Sequence, residues 1–440
     1  MVITIIVFLV STILMILSSI FFPNIKIKNH EISIYWIFPL IGALILLIFK
    51  IIDFDYFIHS LVNQVGVNPL EILILFISMV FISIVLDEVG FFKYLAQIAI
   101  KKAHNNQIVL FILYYLIISI LTIFTSNDII IITFTPFLIF FTKNAKINPL
   151  PYLIMEFVSS NTWSMLLLIG NPTNIYLGSS FTQNINFFSY IEIMGLPTLL
   201  SGLLSFLILF LLFKKELKKP IDVEITEVNI KDKYIFLMSL ILLISCIIML
   251  AISNFIGIKM YLISLISSLI LLIFLIIYTI IKKEKRSILL HSVKRLPFNL
   301  IPLLLSMFTL VLGLGSSGAT KYLSELLTSN NEYLNILSYG FSSFFLANLI
   351  NNIPMSILYV DILEHASNVS IFSVYASIIA SNICAFLTPL GALAGVMWMN
   401  ILRKNNIKMN YLMFTKYGLI ISIPTLLIGL LGLMLIFLII

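Results

Sequence analysis

Polar residues in this mostly apolar chain gather in four short clusters, and their types suit reversible binding better than covalent chemistry. The first cluster is Thr125-Ser126-Asn127-Asp128. The second is Ser160-Asn161-Thr162, followed by Gly170-Asn171-Pro172-Thr173-Asn174. The third is Asn351-Asn352-Ile353-Pro354, and the fourth is Ser381-Asn382 with Thr388-Pro389-Leu390-Gly391. Hydroxyl and amide side chains, with backbone groups freed where Gly and Pro interrupt a helix, can hold a cation or a hydroxyl-bearing ligand. Helices starting after Asp128 and near Pro354 add free N–H groups and partial positive charge, and Pro is well tolerated in a first turn. Asp128 is the only acid in the four clusters, which makes it the candidate for carrying a coupled ion. An acid at membrane depth costs ~2.5–3.5 kcal/mol and usually marks a relay. Each residue also has a plainer use: Ser160 or Thr162 can join helices, Asp128 can cap the helix after it, and Glu156 can snorkel from the inner end of a span. Asp87 and Glu88 end a span and are expected at the interface, and Cys384 reads as a small apolar filler.

The elements that must position these clusters are membrane helices. The chain is 61% hydrophobic and 10% charged, with apolar runs of membrane-spanning length between bunched charges; soluble domains carry about 25% charged residues, and ~20 helical residues cross the hydrocarbon. The first run, Met1 to Phe22, lacks a basic flank and a small-residue cleavage site, so it is expected to be a retained helix. Spans are expected near 2–22, 33–51, 69–87, 149–180, 187–213, 234–255, 260–281, 297–315, 371–402 and 411–435. Two further pairs, 106–124 with 129–142 and 333–350 with 353–364, are broken at their middles by the first and third clusters. Their short second arms suit re-entrant hairpins. Stretches 149–180 and 371–402 are too long for one untilted span and should unwind at Gly170-Asn171-Pro172 and Thr388-Pro389-Leu390-Gly391. Cys246 and Cys384 lie in apolar runs, so no disulfide framework is expected. The five histidines form no metal-binding pattern, and no cofactor is implied.

Basic residues orient this arrangement. With both termini outside, 23 of the 26 Lys and Arg fall in inner loops, leaving Lys50, Lys259 and Lys321 outside. The net charge of +7 is therefore a matter of topology in the cytoplasmic membrane, not a nucleic-acid surface. Each half holds three spans, a broken pair and two more spans, so the second half enters the membrane in the opposite sense. The expected fold is an all-α polytopic membrane protein with two inverted-topology repeats: about 10 spanning helices, two re-entrant hairpins and two discontinuous helices. Residues 1–213 form the first repeat, 214–233 a cytoplasmic linker and 234–440 the second repeat. Such repeats with interrupted helices are the usual build of secondary transporters.

Several of these residues also carry a resemblance. Leu86-Asp87-Glu88-Val89-Gly90-Phe91-Phe92, Asn127-Asp128 with Thr135-Pro136, Asn351-Asn352-Ile353-Pro354, and Leu387-Thr388-Pro389-Leu390-Gly391-Ala392-Leu393-Ala394 with Trp398 together resemble the arsenite permease (arsenical pump membrane protein) family. That family lies in the ion-transporter superfamily with sodium/proton antiporters and dicarboxylate transporters, and the resemblance covers nearly the whole chain. Gly170-Asn171-Pro172-Thr173-Asn174 is more similar to the anion and dicarboxylate members, and Lys93 stands where an acid is expected. The resemblance implies hairpins entering from opposite sides, a homodimer, and proton-coupled efflux of arsenite or antimonite. It can also imply a soluble ATPase partner.

An ionised Asp128 beside a di-anion would repel it in a low-dielectric site, and no Lys or Arg falls in the four clusters. A neutral oxyacid or a cation is therefore the expected substrate, coupled to H+ or Na+, with carboxylate or sodium/proton transport as the alternative. A passive channel is a further alternative, but broken helices at corresponding places in two inverted halves fit alternating access better. Gly315-Ser316-Ser317-Gly318 and the later His365 resemble an intramembrane serine protease motif, but four small residues recur by chance, so an enzyme is not expected.

Overall fold

The computed structural model describes residues 1–439 except 23, 28–29, 63–67, 180, 182–184, 222–229, 283–286 and 367–369. The middle of the expected 214–233 linker, and Lys28, Lys283, Lys285 and Arg286 of the charge count, lie outside the described residues.

Helix α1 (Val2–Phe21) is followed by an antiparallel hairpin of β1 (Asn24–Ile27) and β2 (His30–Ser33), paired from Asn24↔Ser33 to Ile27↔His30. Then come α2 (Ile37–Ile48), α3 (Phe54–Val62), α4 (Pro69–Glu88) and α5 (Phe91–Ala103). Helices α6 (Gln107–Phe124) and α7 (Asn127–Asn144) form the first broken pair. Helix α8 (Leu150–Trp163) unwinds through two 3-10 turns, Ser164–Leu166 and Leu168–Gly170, into α9 (Pro172–Ser179), and α10 (Phe187–Leu217) closes the half.

The second half runs through α11 (Lys233–Ala251), a four-residue α12 (Ser253–Ile256), α13 (Met260–Lys282), α14 (Ser287–Lys294), α15 (Leu300–Ser316) and α16 (Ala319–Leu327). The second broken pair is α17 (Glu332–Ile350) and α18 (Asn352–Glu364). Helix α19 (Ile371–Ile383) unwinds through Cys384–Phe386 before α20 (Leu393–Lys404), and α21 (Tyr411–Ile439) ends the chain's described part. Among the described residues, omitting α12 and the β-hairpin, each half has ten helices in a similar order, with short α3 and α14 and short α5 and α16 at matching places, although α2 has 12 residues and its counterpart α13 has 23.

Local chemistry explains many boundaries. Asn68, Asn106, Asn331 and Asp232 each cap a helix by accepting N–H bonds from its first turn. Gly90 at φ 91 and Gly318 at φ 79 start α5 and α16 in a left-handed conformation that glycine adopts without strain. The second of these turns bends the chain by 80° between α15 and α16.

Among the described residues, eight helices are long and apolar enough to cross a membrane, or nine if α15 and α16 count as one span. The protein is thus an all-helical polytopic membrane protein with one small β-hairpin. Several expected boundaries move. The span expected at 33–51 shrinks to the 12 residues of α2, with Ser33 ending β2 and turns at 35–36 and 49–50. The second arm expected at 129–142 lengthens to α7, of 18 residues. Unwinding expected at Gly170 begins earlier, at Ser164. Helices α3, α5, α14 and α16 stand where connecting segments were expected; they are short, and α5 and α16 carry charges that a search for apolar runs passes over.

Packing exchanges partners between halves. Helix α2 lies on α15 and α13 on α4, while α7 packs on α20 and α18 on α9. Helix α10, 31 residues and about 46 Å long, runs against α21, where Gly429 and Gly432 let it approach Ser201 and Pro197. Helix α13 keeps Leu262, Ile266, Ile273 and Ile277 exposed, as lipid would require, whereas α8 and α19 are buried along almost their whole lengths.

Candidate substrate and ion site

The four clusters meet at the centre of the fold in one hydrogen-bonded chain. Asn127 Nδ2, at the start of α7, donates to Asn161 Oδ1 on α8 at 3.0 Å. Where α8 unwinds, Ser164 Oγ lies 2.8 Å from the Asn161 carbonyl and 2.8 Å from Asn382 Oδ1 of α19. Asn382 is the hub. Its Oδ1 also accepts from Asn171 Nδ2 at 2.9 Å, and its Nδ2 donates to Asn174 Oδ1 at 2.6 Å and to the Ile378 carbonyl at 2.8 Å. Thr173 and Ser381 hydroxyls lie 3.0 Å apart. Asn352 Nδ2 reaches the Ser381 carbonyl at 3.2 Å, and its backbone N–H donates to the Gly391 carbonyl at 3.0 Å. Asn351 Nδ2 donates to the Leu390 carbonyl at 3.1 Å, and Thr388 donates through both N–H and Oγ1 to Asn348 Oδ1.

Backbone shape makes this possible. A side chain at Gly170 would meet the Ser164 carbonyl oxygen at 2.1 Å, and one at Gly391 would meet the Cys384 carbonyl at 2.3 Å. Glycine is therefore required where each broken helix folds back on itself. Asn351 sits at φ 77, ψ 152, a conformation that residues other than glycine avoid. Pro354 falls in the first turn of α18, where its missing N–H costs nothing. Ser160 and Thr125 spend their hydroxyls on carbonyls one turn back, at Phe157 and Leu121. Ser126 lies 3.4 Å from Asn127 Oδ1, and Thr162 Oγ1 is buried with no partner among the described residues. The centre therefore gathers Asn127, Asn161, Asn171, Thr173, Ser381, Asn382, Asn351, Asn352, Thr388 and Gly391. Ser160, Thr162 and Thr125 lie beside the chain of bonds and are not links in it.

Asp128 faces the other way, into a cavity of about 270 Å³ lined by α4, α7, α15 and α20 and by Tyr35. Among the described residues no hydrogen bond to its carboxylate is found, so it caps no N–H of α7. The same cavity is lined by Arg295, which the four clusters did not include. Arg295 pairs with Asp87 at 2.6 Å and Glu88 at 2.7 Å, and donates to Thr133 at 3.2 Å. Asp87, expected at the interface, is instead buried at the end of α4. Glu156, expected to snorkel, is fully buried; it accepts from Thr135 Oγ1 of α7 at 3.1 Å and from Trp398 Nε1 of α20 at 3.3 Å.

Sequence reasoning also leaves out Ser164, Asn174 and Asn348 as site residues. Asn174 stood in the quoted motif, and Ser164 and Asn348 carried only the general signal of a polar residue in an apolar run. At the protease-like motif, Ser317 Oγ donates to Leu314 O, and His365 Nδ1 lies 2.8 Å from the Asp361 carbonyl.

Comparison with known proteins agrees with a membrane carrier. The chain is 25% identical over 368 residues to the arsenical pump membrane protein of Escherichia coli K12, covering 81% of this chain and 84% of that protein. It is 24% identical over 368 residues to the protein of the same name from Yersinia enterocolitica, with the same coverage. A 46 kDa membrane protein of Mycobacterium leprae is 27% identical over 140 residues, or 32% of each chain. The sequence profile of the CitMHS citrate transporters matches residues 31–374. Matched over most of its length, this chain belongs to the citrate transporter family and is a polytopic membrane transport protein.

Proposed function

We propose that the chain is a secondary active transporter that moves a small inorganic oxyacid across the cytoplasmic membrane, by proton-coupled efflux of arsenite or antimonite. One observation carries the reading: the hairpin tips and broken helices of both halves converge on one buried amide and hydroxyl network, beside a cavity lined by Asp128. Interrupted helices at matching places in two halves are how alternating-access carriers build a site. The repeated element order and the 23-to-3 distribution of basic residues support residues 1–213 and 234–440 as inverted repeats joined by the cytoplasmic linker 214–233, with both termini outside. In this reading each hairpin and the broken helix after it move together against a scaffold containing α10 and α21, within a homodimer. Asp128 carries the coupled proton, while Asn351, Asn352 and their neighbours hold the ligand's hydroxyls. The E. coli and Yersinia relatives are named arsenical pump membrane proteins, which favours arsenite.

Carboxylate transport is the second reading, favoured by the family's citrate name and by the Arg295 guanidinium in the cavity. Everted vesicles under an imposed pH gradient separate the two by comparing uptake of arsenite, citrate and sodium. Asp128→Asn keeps the shape and removes the titration, so it is expected to insert normally and lose gradient-driven uptake. Wild-type, pH-dependent uptake by this variant would remove Asp128 as the proton carrier and leave Glu156 as the next carboxylate to test.

A further inference from the structure

The guanidinium in the Asp128 cavity looks at first like an anion receptor, but its charge is already committed. Arg295 Nη1 lies 2.6 Å from Asp87 Oδ2 and 2.7 Å from Glu88 Oε1, and Nη2 donates to Thr133 Oγ1 of α7. Thr133 itself donates to Asp87 Oδ2 at 3.0 Å. The other Asp87 oxygen, Oδ1, is buried and has no hydrogen-bond partner among the described residues. His291 stands 3.8 Å from the far oxygen of Glu88 and adds positive charge only when protonated. Asp128 lines the same cavity as Arg295, whose guanidinium is already paired with two carboxylates.

We infer that Arg295 is a specificity-determining residue, held in check by Asp87 and Glu88 so that the cavity admits an uncharged oxyacid and rejects oxyanions. An anion entering the cavity would meet the Asp128 carboxylate and find a guanidinium whose Nη donors are already taken by Asp87, Glu88 and Thr133. A neutral oxyacid avoids the repulsion, and its hydroxyls can donate to Asp128. Removing one of the two acids frees an Arg fork whose geometry matches phosphate and carboxylate. The inference rests on the transporter reading for its physiological meaning, but the charge balance can be tested without transport.

The test uses the full-length chain, purified in detergent, with inorganic phosphate as the probe and thermal unfolding at constant ionic strength as the readout. Wild type is expected to show no stabilisation by phosphate beyond that of chloride. Glu88→Gln should gain phosphate binding by about tenfold or more, as relief of like-charge repulsion predicts, and Glu88→Gln with Arg295→Gln should lose the gain. Asp87→Asn, which frees the guanidinium from the other side, serves if Glu88→Gln does not fold. In everted vesicles the Glu88→Gln protein should also become sensitive to phosphate as an inhibitor of arsenite uptake. A folded Glu88→Gln protein as indifferent to phosphate as wild type overturns the inference, and so does a gain that persists without Arg295. Absence of arsenite uptake by wild type would instead overturn the proposed substrate, with the detergent measurement still deciding on Arg295.

Discussion

Replacing Asn382 by Leu removes the hub of the central network while nearly keeping its volume. Asn382 is fully buried, and its amide meets Ser164, Asn171, Asn174 and the Ile378 carbonyl. After the change Ser164 can still donate to the Asn161 carbonyl, and Ile378 keeps its place in the helix ladder. Asn171 Nδ2 and Asn174 Oδ1 are left without their partner. A buried polar group stripped of its partner costs about 1–3 kcal/mol, so two cost about 2–6 kcal/mol. Hydrogen bonds between membrane helices average only ~0.6 kcal/mol, because the unfolded chain in lipid finds partners too, and this draws the expectation to the lower half of the range. Thr425→Val is the control. Among the described residues its hydroxyl bonds only within α21, to the Ile421 carbonyl, and its loss should cost under about 1 kcal/mol. Reversible unfolding of both purified variants in mixed detergent measures the difference. A stability for Asn382→Leu within about 0.5 kcal/mol of the control would refute the reasoning that Asn171 and Asn174 are left unsatisfied without Asn382.

Two further changes probe the backbone at the hairpin tip. Asn351 keeps φ 77, ψ 152 while its side chain binds Ile353 N–H and the Leu390 carbonyl. Asn351→Ala keeps the strain and loses both bonds, whereas Asn351→Gly loses the bonds but relaxes the strain; the Gly variant should be more stable by about 1–3 kcal/mol, and equal stability in detergent unfolding would show that no strain is stored there. Gly391→Ala should cost about 1–3 kcal/mol by pressing on the Cys384 carbonyl and shifting the acceptor of Asn352 N–H, while Gly195→Ala in α10, with open space around it, should be neutral or stabilising; thermal unfolding of the pair reads the contrast.

The sequence exposes whatever interrupts an apolar run. Asn171-Pro172 and Thr388-Pro389-Leu390-Gly391 mark the broken helices because uninterrupted hydrocarbon-spanning stretches tolerate such residues only where the backbone is satisfied by protein. Asn127 and Asn352 are legible for the same reason. Arg295 is not, because in a linear count it is one more basic residue in an inner loop, and only folding returns it to Asp87 and Glu88. Glu156 misleads in the opposite direction: its place near the end of a span suggests water, but Thr135 and Trp398 close over it from two other helices. Pairing across more than 200 residues leaves no periodic trace, so the meeting of Asn171 with Asn382 could be expected from the repeat but not read from either segment.

The exchange of partners between halves has a consequence for biosynthesis. Asn171 and Asn382 are 211 residues apart in sequence. At about 5–20 residues per second, the ribosome makes the second roughly 10–40 s after the first. Throughout that interval Asn171, Thr173 and Asn174 lie in a half-made protein whose complementary surface does not yet exist, and α2 and α4 wait for α15 and α13. The nascent first half must therefore keep these amides hydrated or otherwise partnered until the second half is made.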